Sequence, residues 1–199
     1  MVELLVVVAI IAILAAFLLP VLSSAHKKVQ ATQCINNLRQ LGVATFLYCE
    51  DSNDVLPYAW YDNPDARENN FYGLLTPVLR RHGFDGYGDF ERSIYACPTR
   101  EKEPLVGSNP FRISYGMNAY NSINFPDPRT RKLTRAQRDN PSAKVLIADI
   151  AYEYNHPPLT RLEPEETGYK HRKKAQIVFF DGHAEARALR ETYNLVLKY

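Results

Sequence analysis

The chain has 199 residues, with 24 Lys and Arg against 22 Asp and Glu, 46% hydrophobic residues, 13 Pro, 13 Tyr and 3 Cys. Those proportions fit one domain of ordinary size with an appended element, and they exclude a disordered tail, a collagen-like repeat and a multi-span membrane protein. A formal charge of +2 gives no overall surplus of cations for binding a phosphate backbone.

The apolar character is concentrated at the start. From Leu4 to Leu22 the chain carries no charge, and a helix of that length rises about 28 Å at about 1.5 Å per residue, enough to cross the hydrocarbon core of a bilayer. Residues 1–22 therefore read as a membrane helix. The competing reading is a cleaved secretory signal, since the small residues Ser23 and Ala25 precede Lys27 and Lys28. The run is longer than the usual signal core of about 7–15 residues, which favours a retained helix. Lys27 and Lys28 on its far side would hold the following domain in the cytoplasm by the positive-inside rule. Glu3 is a carboxylate at the start of this helix, costly in lipid unless neutralised or paired, and is a functional candidate unless it lies among headgroups. Pro20 removes one helical hydrogen bond and permits a kink.

Beyond Pro20 the apolar residues recur at helical spacing: Ala31, Cys34, Ile35, Leu38, Leu41, Gly42, Thr45 and Tyr48. Lys28, Gln33, Asn37 and Arg39 fall elsewhere around the helix. Residues 23–52 thus read as an amphipathic continuation with one stripe for a domain to pack on, ending near Asp51-Ser52-Asn53-Asp54 before Pro57. Residues 53–199 form the head. Its candidate strands are 93–96, 112–117, 144–148, 176–180 and 183–188, separated by loops rich in Pro and Gly, with a closing helix over 189–197. The segment 176–188 is the clearest hairpin, because Asp181-Gly182 favours a two-residue turn with positive φ. An antiparallel sheet packed on the stripe of the first helix gives an α+β head.

The residues that carry a resemblance are now in view. Glu3-Leu4-Leu5-Val6-Val7-Val8-Ala9-Ile10-Ile11-Ala12-Ile13-Leu14, followed by Pro20, resembles the prepilin-type N-terminal segment of type IV pilins and type II secretion pseudopilins. Cys34-Ile35-Asn36-Asn37-Leu38-Arg39-Gln40-Leu41-Gly42 is similar to the continuation in a bacterial pilin-like family with an H-x9-DG C-terminal signature. His171, nine residues, then Asp181-Gly182 reproduce that signature. Tyr95-Ala96-Cys97-Pro98, Ser114-Tyr115-Gly116-Met117-Asn118 and Val145-Leu146-Ile147-Ala148-Asp149 are further similar pieces, in the expected order. In the family a short basic leader ending in Gly is cut before an aromatic residue, and the glutamate lies four residues after the new N-terminus. With Glu3 two residues after Met1, the resemblance puts the leader upstream of Met1.

The resemblance implies a pilin-like fold and a structural, non-enzymatic role. The subunit would sit in the bacterial inner membrane as a single-pass protein and be processed by a prepilin peptidase. Pilus or type II secretion machinery would then assemble it with copies of itself into a helical filament, either a surface pilus or a periplasmic pseudopilus. Glu3 would neutralise the terminal amine of a neighbouring subunit, and Pro20 would be where the helix loosens during assembly. The alternative is a monomeric membrane-anchored module that binds polysaccharide or nucleic acid.

The head offers three candidate sites. Asp149, His171, Asp181 and His183 could hold a transition metal, or calcium as in some type II pseudopilins. The same residues have structural readings: a strand end for Asp149, a loop-anchoring hydrogen bond for His171, the turn for Asp181. A tethered hydrolase built on these four is the weakest reading, since no nucleophile elbow, phosphate loop or HExxH accompanies them. Cys34, Cys49 and Cys97 allow three single pairings, each leaving one cysteine over; a disulfide could tie Cys97 to Cys34 or Cys49 on the helix, or all three could be reduced thiols. Two basic clusters, Arg129, Arg131, Lys132, Arg135 and Arg138, and Lys170, Arg172, Lys173 and Lys174, could meet an anionic ligand, DNA or polysaccharide among them, or act as solvated faces.

Overall fold

A single helix, α1, runs from Val2 to Asp51, 50 residues, or about 75 Å at 1.5 Å per residue. In the computed structural model residues 2–59, 70–81, 93–99, 113–118, 132–150, 168, 170–192 and 195 are described. The first half of α1 is exposed all round, including Leu4, Val7, Ile11, Leu14, Phe17 and Leu22. By length and composition it can cross a membrane, with a mean hydropathy of 3.2 over its most apolar window. Pro20 lies inside the helix without ending it.

Burial begins at Cys34. From there one face, Cys34, Asn37, Leu38, Leu41, Gly42, Ala44, Thr45 and Cys49, is covered by the head. Five residues of the expected stripe are buried, Cys34, Leu38, Leu41, Gly42 and Thr45, while Ala31, Ile35 and Tyr48 are half-buried and Ala44 and Cys49 are buried in addition. Asn37, expected elsewhere around the helix, is buried with its amide donating to the Ala96 carbonyl at 3.3 Å. The helix stops where Asn53 and Asp54 adopt positive φ of 54° and 68°, and the Asp54 N–H donates to the Cys49 carbonyl at 2.7 Å. Asn and Asp tolerate that left-handed conformation better than most residues, so they end the helix.

Among the described residues, four strands form one antiparallel sheet in the order β1-β2-β3-β4: Tyr115–Met117, Val145–Asp149, Lys174–Phe179 and Ala184–Ala188. The chain also forms α2 (Phe71–Arg81), α3 (Leu133–Gln137) and α4 (Leu189–Thr192). The sheet face toward α1 carries Tyr115, Met117, Leu146, Ile147, Val178 and Phe180, in one core with Leu38, Leu41, Leu75 and Leu79. The opposite face carries Val145, Ala148, Ile150, Ala175, Ile177 and Phe179. The protein is thus α+β, with its main core between helix and sheet.

Three expectations need correction. Residues 93–96 form a turn, not a strand; Tyr95 is fully buried, its hydroxyl donates to the Tyr72 carbonyl at 2.9 Å, and its own carbonyl accepts from Ser114 at 2.9 Å. The β3–β4 connection is longer than a two-residue turn. Gly182 donates to the Phe179 carbonyl at 2.9 Å and Phe179 to the His183 carbonyl at 3.0 Å, so residues 180–182 make the loop, with Gly182 at φ 88°. That is a three-residue hairpin closed by a positive-φ glycine. Finally, the closing helix is shorter than expected: α4 is Leu189–Thr192, and Leu195 is not helical, its N–H donating to the Thr192 carbonyl at 2.9 Å. Tyr193, Asn194, Val196 and Leu197 of the expected helix, and Arg112 of an expected strand, lie outside the described residues.

Candidate functional site

Where α1 enters the head, four side chains from four parts of the chain converge. Cys34 comes from α1, Cys97 from the turn after residues 93–96, Asp149 from the end of β2, and His171 from the bridge that precedes β3. One ligand atom from each lies within 4.8 Å of the others, and all four residues are buried. The Cys34 thiol donates to Asp149 Oδ1 at 3.3 Å. Cys97 Sγ is 3.1 Å from His171 Nε2 and 3.0 Å from Thr99 Oγ1.

The direction of Asp149 follows from a local irregularity. The β2–β3 register slips between Val145 and Ile147, and Leu146 and Ile147, neighbours in sequence, both join the core on the α1 side. A β-bulge changes the phase of alternation, so Ile147 and Asp149 share the helix-facing side while Ala148 and Ile150 face away. Without it Asp149 would point to the other face. The neighbours then satisfy the cluster: the Gln176 N–H donates to Asp149 Oδ2 at 2.8 Å, and the Tyr115 hydroxyl donates to Cys34 Sγ at 3.2 Å. His171 Nδ1 is buried and has no partner among the described residues, so only Nε2 holds the ring in the cluster.

Burial pushes the Cys34 thiol far above its ordinary range and raises Asp149 to about 7. Cys97 is held down to about 4 by the hydrogen bond from Cys34, against burial and with help from His171 and Thr99. Burial alone would lower His171, but its hydrogen bond and charge interaction with Cys97 raise it. Cys97 and His171 thus favour one another's charged forms, beside a carboxyl group whose ionisation burial opposes.

The sequence candidates are distributed as follows. Asp149 and His171 are brought together; Asp181 and His183 stand at the exposed hairpin turn, where the Asp181 carboxylate accepts from the His183 N–H at 3.1 Å and contacts its ring. Cys34 and Cys97 are adjacent, while Cys49 is buried at the far end of the covered helix; all three are free thiols. The two basic clusters do not form one patch. Lys132 bonds the Asn53 carbonyl and Leu133 the Asp54 carbonyl, whereas Lys170 and Arg172 line a groove of about 460 Å³ with Lys27, Gln30, Pro98, Thr99 and His171. Lys27 and Asp54 are about 40 Å apart along α1 at 1.5 Å per residue. Arg135, Arg138, Arg172, Lys173 and Lys174 are exposed; Arg129 and Arg131 lie outside the described residues. Glu3 is in the first turn of α1. Tyr115, Asn37 and Thr99 contribute to the cluster although nothing in their spacing announced it.

Two sulfurs, an imidazole and one carboxylate are not a calcium set, which draws on six to eight oxygens. Comparison of the chain with protein-family models, with curated proteins and with solved structures gives no match.

Proposed function

We propose that the chain is a structural subunit of a pilin-like filament, of the type IV pilus or type II secretion pseudopilus kind, assembled through the N-terminal half of α1. The observation that carries the proposal is the contrast between the two halves of one continuous helix. From Cys34 onward α1 has a covered face; residues 4–22 carry no charge and, among the described residues, are exposed on every side. Each Val, Leu or Ile side chain taken out of water contributes about 1.5–3 kcal/mol, so this half calls for lipid first and then, in a filament, for the same half of neighbouring subunits. An isolated carboxylate in such a bundle is costly unless a positive charge meets it. Glu3, in the first turn, meets that need if it pairs with the terminal amine of the adjacent subunit. The family resemblance of residues 3–14 and the H-x9-DG signature point the same way.

In this reading the subunit waits in the bacterial inner membrane, and the head decorates the outside of the filament at the cell surface or in the periplasm. Prepilin peptidase and the assembly machinery are its processing partners. The reading is tested by mechanical shearing of cells that produce the chain from its complete gene, with immunoblotting of the released fraction. Glu3→Ala and Glu3→Lys should remove the chain from the sheared fraction and leave it in the membrane. A monomeric membrane-anchored binding module would be absent from the sheared fraction in the parent as well, and would tolerate Glu3→Ala in the membrane.

A further inference from the structure

We infer that Cys34, Cys97, His171 and Asp149 form a structural zinc site that staples the head to α1. The inference stands independently of filament assembly. In a tetrahedral site with Zn–S about 2.3 Å and Zn–N or Zn–O about 2.0–2.1 Å, neighbouring ligand atoms lie about 3.3–3.8 Å apart. Here Cys34 Sγ to Asp149 Oδ1 is 3.3 Å, Cys97 Sγ to His171 Nε2 is 3.1 Å, and no ligand atom is more than 4.8 Å from another. The set is therefore close to the size of one ion: the two short pairs open slightly and the wider ones close to reach tetrahedral dimensions. Thiolate and imidazole together select zinc among common divalent ions, and four protein ligands give the closed coordination of a structural rather than a catalytic site.

The surroundings fit the charge. Two thiolates and a carboxylate around a dication leave one negative charge, which the Gln176 N–H at Asp149 Oδ2 and the Tyr115 hydroxyl at Cys34 Sγ help to stabilise. Such outer hydrogen bonds orient ligands and tune affinity. The groove lined by Lys27, Gln30, Thr99 and Lys170 reaches His171 and gives the ion a way in. On binding, the water shell of the ion leaves to solvent with the protons that the ligand atoms carry: the Cys34 thiol proton, the proton shared by Cys97 Sγ and His171 Nε2, which goes to solvent or to His171 Nδ1, and the Asp149 proton where that carboxyl is protonated. The position is mechanically apt: Cys34 is the first buried residue of α1, so the ion would tie helix, turn, strand and pre-β3 bridge together at the point where the helix leaves the head.

The test uses the full chain, purified in detergent with reductant. Elemental analysis should find one zinc per chain, and replacement by cobalt should give strong visible bands with a near-ultraviolet thiolate-to-cobalt band. The double variant Cys34→Ser/Cys97→Ser should lose both the zinc and the bands. Because that variant could misfold, Tyr115→Phe serves as the second probe: it keeps the ring and removes only the hydroxyl, and should weaken zinc binding about 10–100-fold with unchanged near-ultraviolet circular dichroism. Absence of thiolate-to-cobalt bands in the reduced parent would overturn the inference. So would a Cys34–Cys97 disulfide in metal-free chain isolated from cells, or zinc retained by the double variant.

Discussion

Gly42 is where α1 presses closest on the sheet, and Gly42→Ala tests that packing. A Cβ at this position would lie 3.0 Å from Val178 Cγ2, whereas carbon atoms in good contact sit about 3.5–4.0 Å apart. Val178 is fully buried in β3, between β2 and β4, and a β-branched side chain has little freedom at χ1. Helix and sheet must therefore separate by a few tenths of an ångström or more. Overpacking of this kind costs about 1–3 kcal/mol, and replacing a mid-helix glycine with alanine returns about 1 kcal/mol. Gly42→Ala should thus destabilise the protein by about 0–2 kcal/mol. Val178→Ala alone should cost about 2 kcal/mol, from two lost carbons at about 0.8 kcal/mol each and a small cavity. In that background Gly42→Ala should stabilise by about 1 kcal/mol, giving a coupling of about 1–3 kcal/mol. Equilibrium urea unfolding of the detergent-solubilised chain, followed by near-ultraviolet circular dichroism of the buried tyrosines, measures all four corners of the cycle. A gain of about 1 kcal/mol in both backgrounds would refute the packing of α1 on β3.

Gly182→Ala should lower the thermal midpoint: the residue sits at φ 88° with a would-be Cβ 3.2 Å from Phe46 Cε2, and an alanine in that region costs about 1–2 kcal/mol; calorimetry showing no change would contradict the strained turn. Arg81→Ala should matter little. Arg81 and Asp51 are 2.7 Å apart but more than half exposed, so the loss is at most about 1 kcal/mol and should disappear when unfolding is repeated at high salt.

The long helix was legible because both halves carry their own signal: an uncharged run, then a stripe at helical spacing from Ala31 to Tyr48. The hairpin over 176–188 was legible from alternation about Asp181-Gly182, though not its three-residue loop, which depends on how Phe180 turns into the core. The strand expected at 93–96 failed because the apolar run Ile94-Tyr95-Ala96 is buried in a turn whose backbone bonds go elsewhere. Nothing in the sequence announced α2; Gly73 and Pro77 oppose a helix on propensity, and burial of Phe71, Tyr72, Leu75, Val78 and Leu79 outweighs them. The candidate site was half legible. Asp149 and His171 stood out by type, and Cys34 and Cys97 as a possible pair, but joining the two sets needs contacts separated by 115 residues for Cys34 and Asp149 and 74 for Cys97 and His171. It also needs the bulge in β2, a register detail that no local pattern encodes and that decides which face Asp149 takes.

The central claim is that the exposed half of α1 exists to be buried against copies of itself. Electron cryomicroscopy of filaments sheared from cells producing the chain from its complete gene tests it most directly. The account predicts a helical filament whose core is a bundle of residues 1–22, with Glu3 beside a neighbour's terminal amine and the heads on the outside. Filaments whose subunit contacts are made by the heads, with the N-terminal helices splayed away from one another, would contradict it.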